Sequence, residues 1–186
     1  VNQINDNKVL RGKIKLLRRD GDKYTDVTRA AGVNTLAFGL GLSIADFNDD
    51  GHLDVYVAND FWIPDFYFIN DGKGKFVNAK EKINHTSYYS MGVDAADYNN
   101  DNILDLAVVD MTPKDHYRNK TLMPSMDVQR FNVLTDIFNF TRQYMFNSLQ
   151  VGMGDGNFGE IANALEVSLT DWSWAPLIFD IDNDGY

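Results

Sequence analysis

The sequence predicts an all-β fold built from β-propeller blades, interrupted by one helical insertion. Three observations predict it: an internal repeat near 50 residues, four short apolar stretches in each repeat, and Gly-rich turns between them. "GLSIADFNDDGHLDVYVAND" (41–60) aligns without gaps on "GVDAADYNNDNILDLAVVDM" (92–111), an offset of 51 residues. A third copy opens at "APLIFDIDNDGY" (175–186), 83 residues after the second. A second pattern, "DFYFINDGKGKF" (65–76), matches "NSLQVGMGDGNF" (147–158), with a fainter version in "LLRRDGDKY" ending at Tyr24.

Each unit reads as an apolar strand, an acidic loop, a second apolar strand, then a hairpin. "NDGKGKF" supplies the Asn, Asp and Gly that a hairpin turn needs where φ is positive. "LDLAVVD" is almost continuously apolar, as expected of a strand near the propeller axis and covered on both faces. Residues 1–35 are then the end of a preceding blade, 36–87 a blade with the first acidic loop, and 88–168 a blade with the second. Residues 169–186 start another blade and stop inside a third loop.

The longer spacing before the third copy adds about 32 residues, which fall between Thr112 and Met145. Within this insertion (about 112–145), "SMDVQRFNVLTDIFNF" repeats its apolar residues at Val128, Phe131, Leu134 and Phe138, a helical period. One helix packed against the blade is expected there, either as a functional insertion or as a plug for one end of the propeller.

Composition narrows the function. The chain has 186 residues, 44% of them hydrophobic, no cysteine and a formal charge of −10, so it can bury a core and is poorly suited to phosphate backbones. Nucleic acid is therefore not an expected partner. The basic run Arg11, Lys13, Lys15, Arg18 and Arg19 alternates with Ile14 and Leu16, which reads as the solvated face of a strand. No apolar run reaches the roughly 18 residues of a membrane span, so any membrane anchor is expected elsewhere in a parent chain.

The acidic loops hold the chemistry. The first offers Asp46, Asn48, Asp50 and Asp54 at positions 1, 3, 5 and 9, with the backbone carbonyl of His52 at 7 and Gly51 at the bend. The second offers Asp97, Asn99, Asp101 and Asp105 with the carbonyl of Ile103. The third offers Asp180, Asp182 and Asp184, with Gly185 at the bend. Oxygens at alternate positions of a tight loop can converge on one point, and hard oxygen donors suit Ca²⁺, which takes six to eight of them at roughly 2.3–2.6 Å; Mg²⁺ keeps more of its water. Without a cation, two such carboxylates about 4 Å apart repel by roughly 4 kcal/mol at an effective dielectric of 20. An EF-hand would place Glu at position 12, where this chain has Val57 and Val108, and strands flank the loops in place of helices.

"DFNDDGHLDVYVAND", "DYNNDNILDLAVVD" and "DIDNDG" resemble FG-GAP/VCBS repeats, the blades of integrin-α-like seven-bladed propellers. Phe38 and Gly39 stand where that family has its FG, whereas Ala58, Asn59 and Asp60 do not match the GAP. "YTDVTRAAGV" and the "NDGKGKF" hairpin are similar to bacterial VCBS-repeat proteins, some with a C-terminal ASPIC/UnbV domain, and to cartilage-acidic-protein-like secreted proteins. The resemblance covers residues 13–112 and 144–186. It implies a Ca²⁺-stabilised extracellular or cell-surface propeller, on a bacterial outer surface, used for protein or glycan recognition or adhesion. It also implies that this stretch is part of a ring of seven blades, with calcium held by the loop residues named above. Asn102 departs from the loop glycine; Asn tolerates the left-handed region better than most residues.

An alternative reading, a propeller-fold polysaccharide lyase or related glycan-active enzyme, rests on fold analogy alone. His85, His116, Tyr88, Tyr89 and Tyr117 are its acid–base candidates, and no spacing among them demands catalysis. Phe61 and Trp62 are candidates for stacking on sugar rings, while Trp172 and Trp174 are expected in core packing.

Overall fold

The computed structural model describes residues 12–123 and 126–184. Arg11 of the basic run and Gly185 of the third loop lie outside them. The first elements are β1 (Leu17–Asp20) and β2 (Lys23–Asp26), an antiparallel hairpin with Gly21 at φ 65° in its turn. Ahead of it, Lys13 and Lys15 are exposed while Ile14 and Leu16 are half-buried, the alternation expected of a solvated extended face.

β3 (Gly39–Ala45), β4 (Asp54–Asn59), β5 (Phe66–Asn70) and β6 (Phe76–Asn78) then form one four-stranded antiparallel sheet in chain order. After β7 (His85–Ser87), the second four-stranded sheet is made of β8 (Gly92–Ala96), β9 (Asp105–Val109), β11 (Ser148–Gly152) and β12 (Phe158–Glu160), again in chain order. β10 (Arg142–Tyr144) leaves this meander to pair in parallel with β7. Two antiparallel four-stranded units, each with its acidic loop between the first two strands, are the blades of a propeller-type fold.

Strand periodicity sets the packing. Along β4, Tyr56 and Ala58 point into a core shared by both sheets, which also contains Phe47, Tyr67, Ile83, Leu106, Val108 and Phe158. Val57 points the other way, into a second cluster with Ala31, Val33 and Phe68. β4 and β9 are therefore covered on both faces, in keeping with their nearly continuous apolar sequences. The inner strands approach closely because glycine sits at the same place in both units. A Cβ built on Gly41 would lie 2.9 Å from Val93 N, and one on Gly92 would lie 2.4 Å from Trp174 O. The segment leading to the third loop thus runs beside β8 as β8 runs beside β3, held by the Ile178 N–H donating to Asp94 at 2.7 Å.

Two expectations need correction. The insertion contains two short helices where one was predicted: α1 (His116–Leu122) and α2 (Val128–Asn132), the latter running on into a π-helical turn at Val133–Ile137. α1 has no apolar period, so hydrophobic patterning did not reveal it; Asp115 starts it by accepting the Arg118 N–H at 2.8 Å. In the predicted stripe, Phe131 and Leu134 face a cavity, whereas Val128 and Phe138 are 69% and 60% exposed. Trp172 and Trp174 are also not core residues, being 51% and 59% exposed. Their segment meets β8 through its backbone, which leaves the indoles outside.

Candidate metal loops

The two complete acidic loops are folded by the same hydrogen bonds. In the first, Asp46 Oδ1 accepts the Asp50 N–H at 3.1 Å and Oδ2 accepts the Gly51 N–H at 2.7 Å. In the second, Asp97 Oδ1 accepts from Asp101 at 3.1 Å and Oδ2 from Asn102 at 2.8 Å. Asn48 and Asn99 each accept the N–H two residues ahead, at 3.2 and 3.1 Å, and each donates its amide N–H to Asp50 or Asp101. Asp50 and Asp101 accept from His52 and Ile103 at 2.9 and 2.8 Å, which bends positions 5 to 7 inward. The third loop keeps the first of these bonds, Asp184 N–H to Asp180 Oδ1 at 3.2 Å.

The backbone repeats as closely. Position 4 is left-handed in all three loops, with φ 58° at Asp49, 59° at Asn100 and 58° at Asn183. Position 6 is left-handed in both complete loops, 85° at Gly51 and 66° at Asn102, so Asn102 adopts the conformation that glycine takes in the first unit. The sequence reading had not given position 4 this role; Asp or Asn there was the available signal.

Position 9 is different in kind. Asp54 and Asp105 are wholly buried, and each ties three parts of its unit together. Asp54 accepts from Phe47 in the loop at 3.2 Å and from Asn70 at the end of β5 at 2.8 Å. Asp105 accepts from Tyr98 at 2.9 Å and from Gly152 at 2.8 Å. Burial pushes both carboxyls above their ordinary range; the bonded N–H groups act against this, while the neighbouring aspartates at positions 1 and 5 add to it.

The donor set fits a hard cation. Each complete loop offers three carboxylates, one amide oxygen and a main-chain carbonyl, with neither sulfur nor imidazole required. A carboxylate has about four lone-pair sites, so oxygens already bonded to N–H groups retain room for a metal. Asp180, Asp182 and Asp184 bring one carboxylate oxygen each within 4.8 Å of one another. The His52 ring lies over the neighbouring hairpin, where a Cβ on Gly72 would be 2.3 Å from its Nε2, so its main chain is the part that serves the loop. Beneath the first loop, Tyr67 is fully buried with its hydroxyl lacking a hydrogen-bond partner among the described residues.

The opposite end of the blades holds a second repeated network. Asn59 N–H donates to Asp65 at 2.7 Å, and Asp110 N–H donates to Asn147 at 2.7 Å. Asp and Asn have exchanged places between equivalent positions. Asp65 also accepts from Tyr56 at 2.8 Å and Ser90 at 3.0 Å; burial, opposed by these donors, pushes its carboxyl up to about 7.

The acid–base candidates are not gathered into one cluster. His116 and Tyr117 lie on exposed α1, and Tyr88 and Tyr89 line a cavity of about 180 Å³ with Phe61, Arg130 and Phe131. The His85 ring packs edge-on to Tyr144 and Phe146, with Nε2 3.7 Å from Glu160. Burial lowers its pKa, partly countered by Glu160. Trp62, 45% exposed, lies under the Arg130 guanidinium at 4.4 Å.

No helix among the described residues is long and apolar enough to cross a membrane. No curated protein matches the chain. The family model of the FG-GAP-like repeat matches residues 46–108, from the first residue of the first loop to β9 of the second unit. Repeats of this family form propeller blades and are typical of extracellular proteins. With two four-stranded units and acidic loops folded by matching bonds, the segment 46–108 carries an FG-GAP-like repeat.

Proposed function

We propose that the chain is a calcium-binding propeller module of an extracellular or cell-surface protein, used to recognise a protein or glycan. The observation that supports it is the loop geometry: two oxygen-rich loops 51 residues apart share every bond that shapes them, and three carboxylates of a third converge. Asp46, Asn48, Asp50, Asp54 and the His52 carbonyl would hold one ion. Asp97, Asn99, Asp101, Asp105 and the Ile103 carbonyl would hold a second, and Asp180, Asp182 and Asp184 would contribute to a third. The ion's role is structural. It offsets repulsion among the aspartates and clamps the turn between the first two strands of each blade.

Recognition would fall to the other end, where Phe61 and Trp62 are 37% and 45% exposed beside the aromatic cavity. Extracellular calcium is abundant, so dissociation constants of about 10⁻⁴–10⁻³ M would suffice. Metal-stripped protein titrated with CaCl₂ should melt at progressively higher temperature, and MgCl₂ should not reproduce the shift. Equal melting temperatures with and without millimolar calcium would remove the metal reading. Glycan-array binding measured with and without EDTA tests recognition: a binder retains glycan unchanged, whereas release of shortened product would favour a lyase.

A further inference from the structure

The first loop differs from the second in what lies beneath it. Tyr67, on β5, pairs across the sheet with Tyr56; the equivalent pair in the second unit is Leu149 and Ala107. The Tyr67 ring is enclosed edge-on by Phe47 of the loop, with centroids 5.8 Å apart, and by Phe158 of the neighbouring blade at 5.5 Å. The side chain is fully buried and its hydroxyl has no partner among the described residues. Buried phenol hydroxyls are normally satisfied, so an orphan at this depth calls for a polar partner that the described residues do not supply.

That hydroxyl faces the loop. A Cβ built on Gly156 would sit 2.7 Å from Tyr67 Oη and 3.0 Å from Asn48 Cβ, so the phenol and ligand position 3 meet at one point. Gly156 belongs to the hairpin of the next blade, which the Lys82 ammonium holds by donating to the Asp155 carbonyl. With φ 69° and no side chain, Gly156 lets this hairpin close onto the phenol and Asn48, where a Cβ would clash.

We propose that Tyr67 is an outer-sphere positioning residue for the first loop. Resting on the calcium reading above, its hydroxyl donates to a water in the inner shell of the ion held by Asp46, Asn48, Asp50 and Asp54. A cation that needs six to eight oxygens takes some from water, and an ordered donor to that water lowers the cost of holding it. Leu149 cannot do this, so the first loop is the tighter of the two.

The test is a calcium titration of the full chain followed by NMR at two backbone amides, Gly51 and Asn102, which occupy the same place in their loops and donate to the position 1 aspartates. In the unmodified protein, Gly51 should reach half-saturation at lower calcium than Asn102. Tyr67→Phe keeps the caged ring and should raise the Gly51 midpoint about tenfold while leaving that of Asn102 in place. The Asn102 titration in the same sample reports that the variant is folded. An unmoved Gly51 midpoint in Tyr67→Phe, with both amides still responding to calcium, overturns the role of Tyr67 and leaves the metal reading standing. If neither amide responds in the unmodified protein, both fall.

Discussion

The first and second blades solve one problem with different residues, and their differences leave the bonds that fold the acidic loop unchanged. Gly51 becomes Asn102, Tyr67 becomes Leu149, and the pair Asn59 and Asp65 becomes Asp110 and Asn147. A short link between β4 and β5 becomes an insertion with two helices. Yet Asp46 and Asp97, or Asp54 and Asp105, keep matching partners within a few tenths of an ångström. The comparison teaches that position 9 and the loop amides fix the blade, while the opposite end is free to vary.

The largest effect should come from position 9. Asp54→Ala leaves the Phe47 and Asn70 N–H groups without their acceptor in a buried site, and Asp105→Ala does the same to Tyr98 and Gly152. Each should cost about 3–5 kcal/mol in urea unfolding, metal-free, because buried unpaired donors cost about 1–3 kcal/mol each and the carboxylate also leaves a void. Unequal costs for the two substitutions would break the equivalence of the blades.

The exchanged Asp and Asn give a pH-dependent effect of intermediate size. Asp65 has its folded pKa raised to about 7 from an ordinary value near 3.8. Between those values the folded protein holds a proton that the unfolded chain has released, so stability falls as pH rises through this window and stays lower above it. At about 1.4 kcal/mol per unit, the loss is about 4 kcal/mol. Asp65→Asn, which installs the residue type found at Asn147, should flatten the slope and make the protein more stable at pH 8. Asp110, also raised by burial, leaves a residual slope of the same sign. A variant with the original slope between pH 4 and 7 would show that Asp65 is ionised in the fold.

These buried networks mark the limit of what patterning could reveal. The 51-residue offset and the strand alternation exposed both sheets, and alternate acidic positions exposed the loops, because period and spacing are properties of the chain alone. The Asp65, Tyr56 and Ser90 cluster spans 34 positions of the chain, and three-residue strands such as β7 and β10 carry no period to detect. The exposure of Trp174 depends on how its backbone meets Gly92, which no local pattern encodes.

The smallest expected change is Asn102→Gly. It removes a side chain from a position at φ 66°, and should stabilise the second loop by about 0.5–1 kcal/mol in denaturant titration, making it more like the first. The reciprocal Gly51→Asn should cost a similar amount. Opposite signs would mean that the Asn102 side chain contributes contacts of its own.

The central claim is that these loops close on calcium. Anomalous diffraction from crystals grown in millimolar calcium tests it most directly. The account predicts one peak within each complete loop, with oxygens of Asp46, Asn48, Asp50, Asp54 and the His52 carbonyl, and their counterparts Asp97, Asn99, Asp101, Asp105 and the Ile103 carbonyl, at about 2.3–2.6 Å. Loops without a peak, their aspartates bonded only to the backbone and to water, would contradict it.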